Sequence, residues 1–270
     1  MSACARLSSL LLAGLMLCAP AWAGPGRVVS INLCTDQLAM LLAAPGQLLS
    51  VSHVARDPLS SAMAGEARAW PENHGQAEEV FALRPDLVLA GTYTSPATVA
   101  LLRRLGVPVE TFAPAQSMAD VAAEMRAVGR ALGRAAEAEA MARAFEADLA
   151  RLRRDPAAGP RAALYYANSY SLGDATLSGQ ILAAAGYRNV AAEAGLRSGG
   201  TLPLEVLVMA RPDLIVEGQP YPGAARSEEV LSHPALGLAA PRRAAMADRD
   251  WICGTPYVLR ALQELRALTP

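Results

Sequence analysis

The sequence predicts an α/β protein of two lobes, each with a mainly parallel sheet, joined by a long rigid helix. Three observations carry that prediction. First, part of the chain occurs twice: residues 82–91 read ALRPDLVLAG and residues 209–218 read MARPDLIVEG. Arg84-Pro85-Asp86-Leu87 returns as Arg211-Pro212-Asp213-Leu214 at an offset of 127, and the same offset relates Gly91 to Gly218 and Glu78 to Glu205. Second, short apolar runs alternate with helical patterns in both halves, the order expected of α/β lobes. Third, residues 134–154 contain neither glycine nor proline, and Met141, Phe145, Leu149 and Leu152 share one face. Those residues make a helix of roughly 32 Å at 1.5 Å per residue, a rod rather than a flexible linker.

The elements follow in order. Val28-Val29-Ser30-Ile31 is the first strand and leads into a helix from Thr35 to Ala43, closed by Pro45-Gly46. Leu48 to Ser52 is the second strand. A short helix from Glu78 to Leu83 stops at the proline-containing turn, and Leu87 to Ala90 is a continuous apolar strand suited to burial on both faces. Ser95-Pro96 is an N-cap followed by proline at the first helical position, so a helix runs on to Gly106, followed by a strand from Val107 to Phe112. Glu139 and Arg143 form an i,i+4 pair on the connecting helix. In the second half, Ala162 to Tyr166 is a strand, Ser178 to Ala185 a helix closed by Gly186, and Glu205 to Ala210 the repeated short helix. Leu214 to Val216 and Ala244 to Ala247 are strands, and Thr255 to Leu268 is the last helix.

Ahead of these elements lies an address. Arg6 is the only charge in residues 1–23, an apolar run follows to about Cys18, and Ala21-Trp22-Ala23 supplies the small-x-small cleavage pattern of a secretory signal. The run falls short of the ~20 apolar residues of a membrane span, and Leu17 before Cys18 argues against lipidation. The expected organisation is a signal peptide over 1–23, an N-terminal lobe over 24–133, a connecting helix over 134–155 and a C-terminal lobe over 156–270.

Composition removes several classes. All 24 basic residues are arginine, so there is no lysine for a Walker A loop, a Schiff base or a Ser-Lys dyad. With 25 acidic residues against them, nothing favours nucleic acid or an anionic membrane. No G-x-S-x-G, H-E-x-x-H or strand-following G-x-G-x-x-G occurs, so no catalytic constellation is expected.

In open α/β sheets, ligands bind beyond the carboxyl ends of the strands. The residues there are Asn32, Cys34, Thr35 and Asp36; His53 and Arg56; Gly91, Thr92 and Tyr93; Tyr166, Asn168, Ser169 and Tyr170; Gln219 and Tyr221; and finally Trp251, Cys253 and Tyr257. Only 5% of the chain is aromatic, and much of that falls at these ends, where rings with a polar handle suit a large planar ligand. Arg56 suits a carboxylate or phosphate, and the helix following the first strand offers N–H groups to an anion unless Asn32 or Thr35 caps it. His53, His74 and His233 are far apart in sequence, and none sits in a ligand-spaced pair. Cys34 and Cys253 are the two cysteines left after export, open to a disulfide, free thiols or a metal.

Four stretches, RVVSINLCTDQLA (27–39), EEVFALRPDLVLAG (78–91), LPLEVLVMARPDLIVEG (202–218) and DWICGTPYVLRALQEL (250–265), are similar to the periplasmic binding proteins of ABC importers for cobalamin and iron complexes. The resemblance covers nearly all of residues 24–270 and implies two Rossmann-like lobes with modest closure about the helix. It implies a monomeric periplasmic receptor, not an enzyme, that holds a corrinoid or ferric siderophore between the lobes. No cofactor, resident metal or nucleic-acid partner is expected. The expected ligand set is Cys34, Thr35, His53, Arg56, Thr92, Tyr93, Asn168, Tyr170, Tyr221, Trp251 and Cys253. The resemblance further implies that one glutamate per lobe, here Glu78 and Glu205, docks on arginines of the membrane permease. The alternatives are a metal-ion receptor using Cys34 and Cys253 with His53, and a secreted enzyme on a similar scaffold. The cysteines depart from the cobalamin-binding pattern and leave the ligand open.

Overall fold

A computed structural model of the chain describes residues 24–219, 223 and 225–269. The signal peptide and Tyr221 lie outside the described residues.

The N-terminal lobe contains β1 (Val28–Ser30), α1 (Leu33–Leu42), β2 (Leu48–Ser52), β3 (Glu72–Asn73), α2 (Ala77–Ala82), β4 (Leu87–Gly91), α3 (Pro96–Arg104) and β5 (Val109–Phe112). Its strands lie in the order β3-β2-β1-β4-β5, all parallel. The central strands β1 and β4 are buried along their whole length, which is why they read as unbroken apolar runs. Ser95 caps α3 by accepting the N–H of Thr98, with Pro96 in the first turn.

Two helices, α4 (Met118–Ala131) and α5 (Ala135–Leu152), follow as a hairpin. The expected rod is α5, and it is not free-standing. Met141, Phe145, Leu149 and Leu152 face the core, and Glu139 pairs with both Arg143 and Arg126 of α4. Gly129 sets how closely the hairpin packs, since a Cβ there would lie 2.1 Å from that of Ala138.

The C-terminal lobe contains β6 (Arg161–Tyr166), β7 (Tyr170–Leu172), α6 (Leu177–Ala184), β8 (Arg188–Asn189), α7 (Val190–Glu193), β9 (Gly199–Thr201), α8 (Leu204–Ala210), β10 (Leu214–Gly218), α9 (Pro234–Ala239), β11 (Arg243–Met246) and α10 (Val258–Ala267). The strand order is β11-β10-β6-β7-β9, with β8 on the first part of β6. Strands β8, β10 and β11 extend the sheet in parallel from β6, whereas on the other side β7 pairs antiparallel with β6 and β9 antiparallel with β7.

The repeated Arg-Pro-Asp-Leu turn has one physical basis in both lobes. Proline disfavours the helical conformation in the residue before it, and Arg84 and Arg211 stop α2 and α8 in the left-handed region, at φ 48° and 47°. The aspartate then accepts a backbone N–H at the start of the neighbouring strand, Asp86 from Gly26 at 3.0 Å and Asp213 from Arg161 at 2.7 Å. An arginine on that neighbouring strand or just before it donates to the carbonyls that end the helix: Arg27 to Leu83 and Arg84, Arg161 to Ala210.

One apolar core runs through both lobes, from Val28, Leu38 and Leu89 through Met125 and Phe145 to Leu164, Ile181 and Leu262. Gln180 of α6 accepts the N–H of Met118 at the start of α4, 3.0 Å across the junction. Separating the lobes on this side would expose core.

Candidate functional site

Each lobe presents a pocketed wall at the carboxyl end of its sheet, and a covalent link ties the two lobes together. Cys34 in the first turn of α1 is bonded to Cys253, 219 residues later in the loop before α10. Gly254 sits directly on the α4 side, where an added Cβ would lie 2.5 Å from Ala115 and 2.8 Å from the carboxylate of Glu124. The disulfide therefore joins the lobes where they are already packed. Further out, Arg249 of the C-terminal lobe donates across to the carbonyl of Pro58, at 3.2 Å.

The N-terminal wall is a small pocket of about 60 Å³, lined by Asn32, Cys34, Gly91, Thr92, Phe112 and Glu124 among others. Burial pushes the Glu124 carboxyl up to about 8, helped by the negative charge of Asp120. At neutral pH it is therefore chiefly an uncharged hydrogen-bond donor facing the pocket.

The C-terminal wall holds a cavity of about 460 Å³ at the ends of β6, β10 and β11, lined by residues that include Tyr166, Glu217, Gln219, Glu228, Ser232 and Asp248. Burial raises the Tyr166 phenol, with the charge of Asp248 adding to the effect, so the hydroxyl stays protonated. Arg243 holds Glu217 at 2.5 Å from the strand beside it. The turn from β6 into β7 carries two successive left-handed residues, Asn168 (φ 56°) and Ser169 (φ 58°), which bring Tyr170 back opposite Tyr166. The wall is thus rich in carboxylates, and no arginine is among the described residues that line it.

A family model described as periplasmic binding protein matches residues 28–242. The chain belongs to the periplasmic binding protein family. The vitamin B12-binding protein of Pectobacterium carotovorum subsp. carotovorum (strain PC1) is 26% identical over 271 residues, covering 96% of this chain and 95% of that protein. The cobalamin-binding protein of Halobacterium salinarum (strain ATCC 29341 / DSM 671 / R1) is 29% identical over 222 residues, and the match spans 58% of its length. Among solved structures, the periplasmic heme-binding protein RhuT from Roseiflexus sp. RS-1 in apo form superposes with a TM-score of 0.73 at 25% identity, covering 90% of this chain and 97% of that one. HutB of Vibrio cholerae, a periplasmic heme-binding protein, gives 0.74 at 18% identity over 90% of this chain and 99% of that one, a likeness of fold alone.

The structure of this periplasmic binding protein divides the sequence-derived residues into groups. Thr92 and Cys34 line the N-terminal pocket, with Tyr93 beside them and 88% exposed. Asn168 and Tyr170 lie on the turn beside the C-terminal cavity. His53 stands on the rim, stacked on His74.

Others are committed elsewhere. Trp251, expected as a cleft ring, is 3% exposed and belongs to the core. Thr35 lines the N-terminal pocket, but its hydroxyl is taken up by Ser30 and the Asn32 carbonyl. Asn32 caps α1 by accepting from Cys34 and Thr35, so the helix start is not open to an anion. Arg56 is not a free anion ligand, because its guanidinium bonds Glu72 at 2.9 Å and the Trp70 carbonyl, clasping the segment that leads into β3. The metal-receptor alternative built on Cys34 and Cys253 fails because both sulfurs are spent in the disulfide, which leaves no thiolate to bind a metal. Among the described residues no group of three or more His, Cys, Asp or Glu side chains is arranged to hold a metal ion.

Several residues were missed as site candidates from the sequence, among them Glu217 at the end of β10 and Glu228 in the segment before α9. Asp248 lies two residues beyond β11 and was within reach of the strand-end rule. Glu124 lies on α4, which that rule does not search, and His74 follows a two-residue strand too short to show a period.

Proposed function

We propose that the chain is an exported, non-catalytic, monomeric receptor that holds a corrinoid between its lobes and delivers it to an ABC permease. The observation that carries the choice of cargo is the chemistry of the C-terminal wall. Glu228 and Asp248 supply carboxylate acceptors suited to the amide N–H groups that fringe a corrin, and Glu217, held through one oxygen by Arg243, adds a third carboxylate to the wall. A cargo edged with carboxylates would meet repulsion there, and the one arginine expected to receive it, Arg56, is engaged with Glu72 and Trp70. Two curated relatives bear vitamin B12- or cobalamin-binding names, which supports the same choice. A ferric siderophore is the second reading, favoured by the family rather than by a residue of the cleft.

Delivery is assigned to Glu78 and Glu205. Both are exposed in the first turns of twin helices, α2 and α8, one on each lobe. Charge-assisted pairing with arginines would recognise two carboxylates so spaced. Residues 1–23 act as the cleavable export signal, and among the described residues no helix is long and apolar enough to cross a membrane.

The test is to mix the purified exported chain with hydroxocobalamin, remove free ligand by desalting, and record the visible spectrum. One retained corrinoid per chain supports the reading, while a colourless fraction rejects corrinoid as cargo. For docking, the double charge reversal E78R/E205R is expected to abolish stimulation of the permease and leave cargo affinity unchanged. Unchanged transport would overturn the docking assignment.

A further inference from the structure

We propose that His53 and His74 form a binding site for a late first-row divalent cation of the copper, nickel and zinc class, at the rim of the N-terminal lobe and independent of the cargo reading. The parallel register of β2 and β3 pairs Ser52 with Asn73. The residue that follows each strand is a histidine, so two residues 21 apart in sequence emerge side by side at the carboxyl edge. Their ring centroids are 4.9 Å apart. With metal–nitrogen bonds of about 2.0–2.1 Å, two imidazoles on one ion at square to tetrahedral angles have centroids about 4.5–5.3 Å apart. The rings are stacked, 21° from parallel, so the spacing matches a ligand pair and the nitrogens converge on one ion once the exposed rings turn about their side-chain bonds.

A second observation points the same way. Glu79 receives the backbone N–H of His74 at 2.8 Å, and its other oxygen lies 3.5 Å from His74 Nδ1. A carboxylate beside Nδ1 is the arrangement that fixes the tautomer of a metal-binding histidine and directs Nε2 outward. The supporting edge is rigid. The Asn73 side chain donates to the Ser30 carbonyl at 2.9 Å and to Ser50 Oγ at 2.8 Å, and Arg56 clasps Glu72 on the same two-residue strand. Imidazole nitrogens suit copper, nickel and zinc, with copper bound most strongly of the three. The protein supplies two nitrogens and leaves the remaining positions to water or to an incoming ligand atom.

The experiment uses the exported chain with its disulfide intact, purified without a polyhistidine tag. Copper(II) chloride is titrated by calorimetry, and the loaded protein is examined by electron paramagnetic resonance. The expected result is one equivalent bound with nitrogen hyperfine structure, and binding lost in H53A and in H74A. E79Q, which removes only the orienting charge, is expected to weaken binding about tenfold, and H233A to leave it unchanged. His53 and His74 are exposed, so a thermal melt is expected to show both variants folded. Absence of copper binding, or binding undiminished in H53A or H74A, would overturn the site. Neither result bears on whether the cleft retains hydroxocobalamin.

Discussion

Asp86 in the N-terminal lobe and Asp213 in the C-terminal lobe do the same work. Each fastens the repeated strand to its neighbour, β4 to β1 and β10 to β6, beside an arginine held left-handed before proline. Beyond that shared turn the lobes diverge. The N-terminal sheet stays parallel and closes over a pocket of about 60 Å³ beside the disulfide. The C-terminal sheet takes in the antiparallel strands β7 and β9, and a cavity of about 460 Å³ opens against the β6–β7 turn. The scaffold is repeated and the walls are not. The proposed recognition draws on what each lobe adds after the repeat: carboxylates and Tyr166 on one side, Glu124 on the other.

The largest expected effect removes what binds the unlike halves together. In the chain-entropy picture, a disulfide closing a loop this long contributes about 5 kcal/mol. The double variant C34S/C253S is expected to show a clearly lower urea midpoint while keeping its cargo, since neither sulfur is needed as a ligand. An unchanged midpoint would mean that the shared core alone holds the lobes together.

The next effect belongs to the N-terminal lobe alone. Asp36 is fully buried, and burial lifts its carboxyl to about 6 against hydrogen bonds from Ser30 and Ser52 that pull it down. A carboxyl raised on folding contributes stability that is full below its unfolded value near 3.8 and is lost as pH rises through about 6. Relative to D36N, the wild type is therefore expected to lose about 3 kcal/mol between pH 3.5 and pH 7. Denaturant melts of both proteins across that range check it, and parallel pH profiles would contradict it.

Glu124 gives a smaller effect, read in binding. Its protonated form is the one suited to a desolvating ligand, so corrinoid affinity is expected to fall above about pH 8, by up to roughly tenfold per pH unit. E124Q is expected to flatten that slope. A wild-type affinity constant from pH 7 to 9.5 would remove Glu124 from the site.

The smallest effect probes the repeat. D86A and D213A each remove one side chain-to-backbone bond and are expected to cost about 1 kcal/mol apiece. Equal losses in thermal melts would confirm that the two turns are equivalent. A loss confined to one lobe would break the comparison.

The same division explains what was legible in the sequence. The Arg-Pro-Asp-Leu turns, the apolar strands and α5 are local patterns, and they appear in the structure within a few residues of their expected bounds. Helix α4 was not read, although it is amphipathic. Gly129, which looks like a breaker, is there for close packing on Ala138. Strand β9, Gly199–Thr201, carries no apolar residue and exists through its pairing with β7. At the site, Trp251 and Arg56 occupy strand-end positions but turn to the core and to Glu72, which position alone does not reveal. Cys34 with Cys253 and His53 with His74 meet only through tertiary register, and sequence spacing carries no trace of either contact.

The central claim is that the acidic C-terminal wall selects an amide-fringed cargo. It is tested most directly by titrating the exported chain with hydroxocobalamin and with haemin, in parallel, for wild type and for E217Q/D248N. The account predicts one corrinoid bound per chain, weaker haemin binding, and a preference that narrows in the variant. Haemin bound more tightly than hydroxocobalamin by the wild type, or a preference unchanged in the variant, would contradict it.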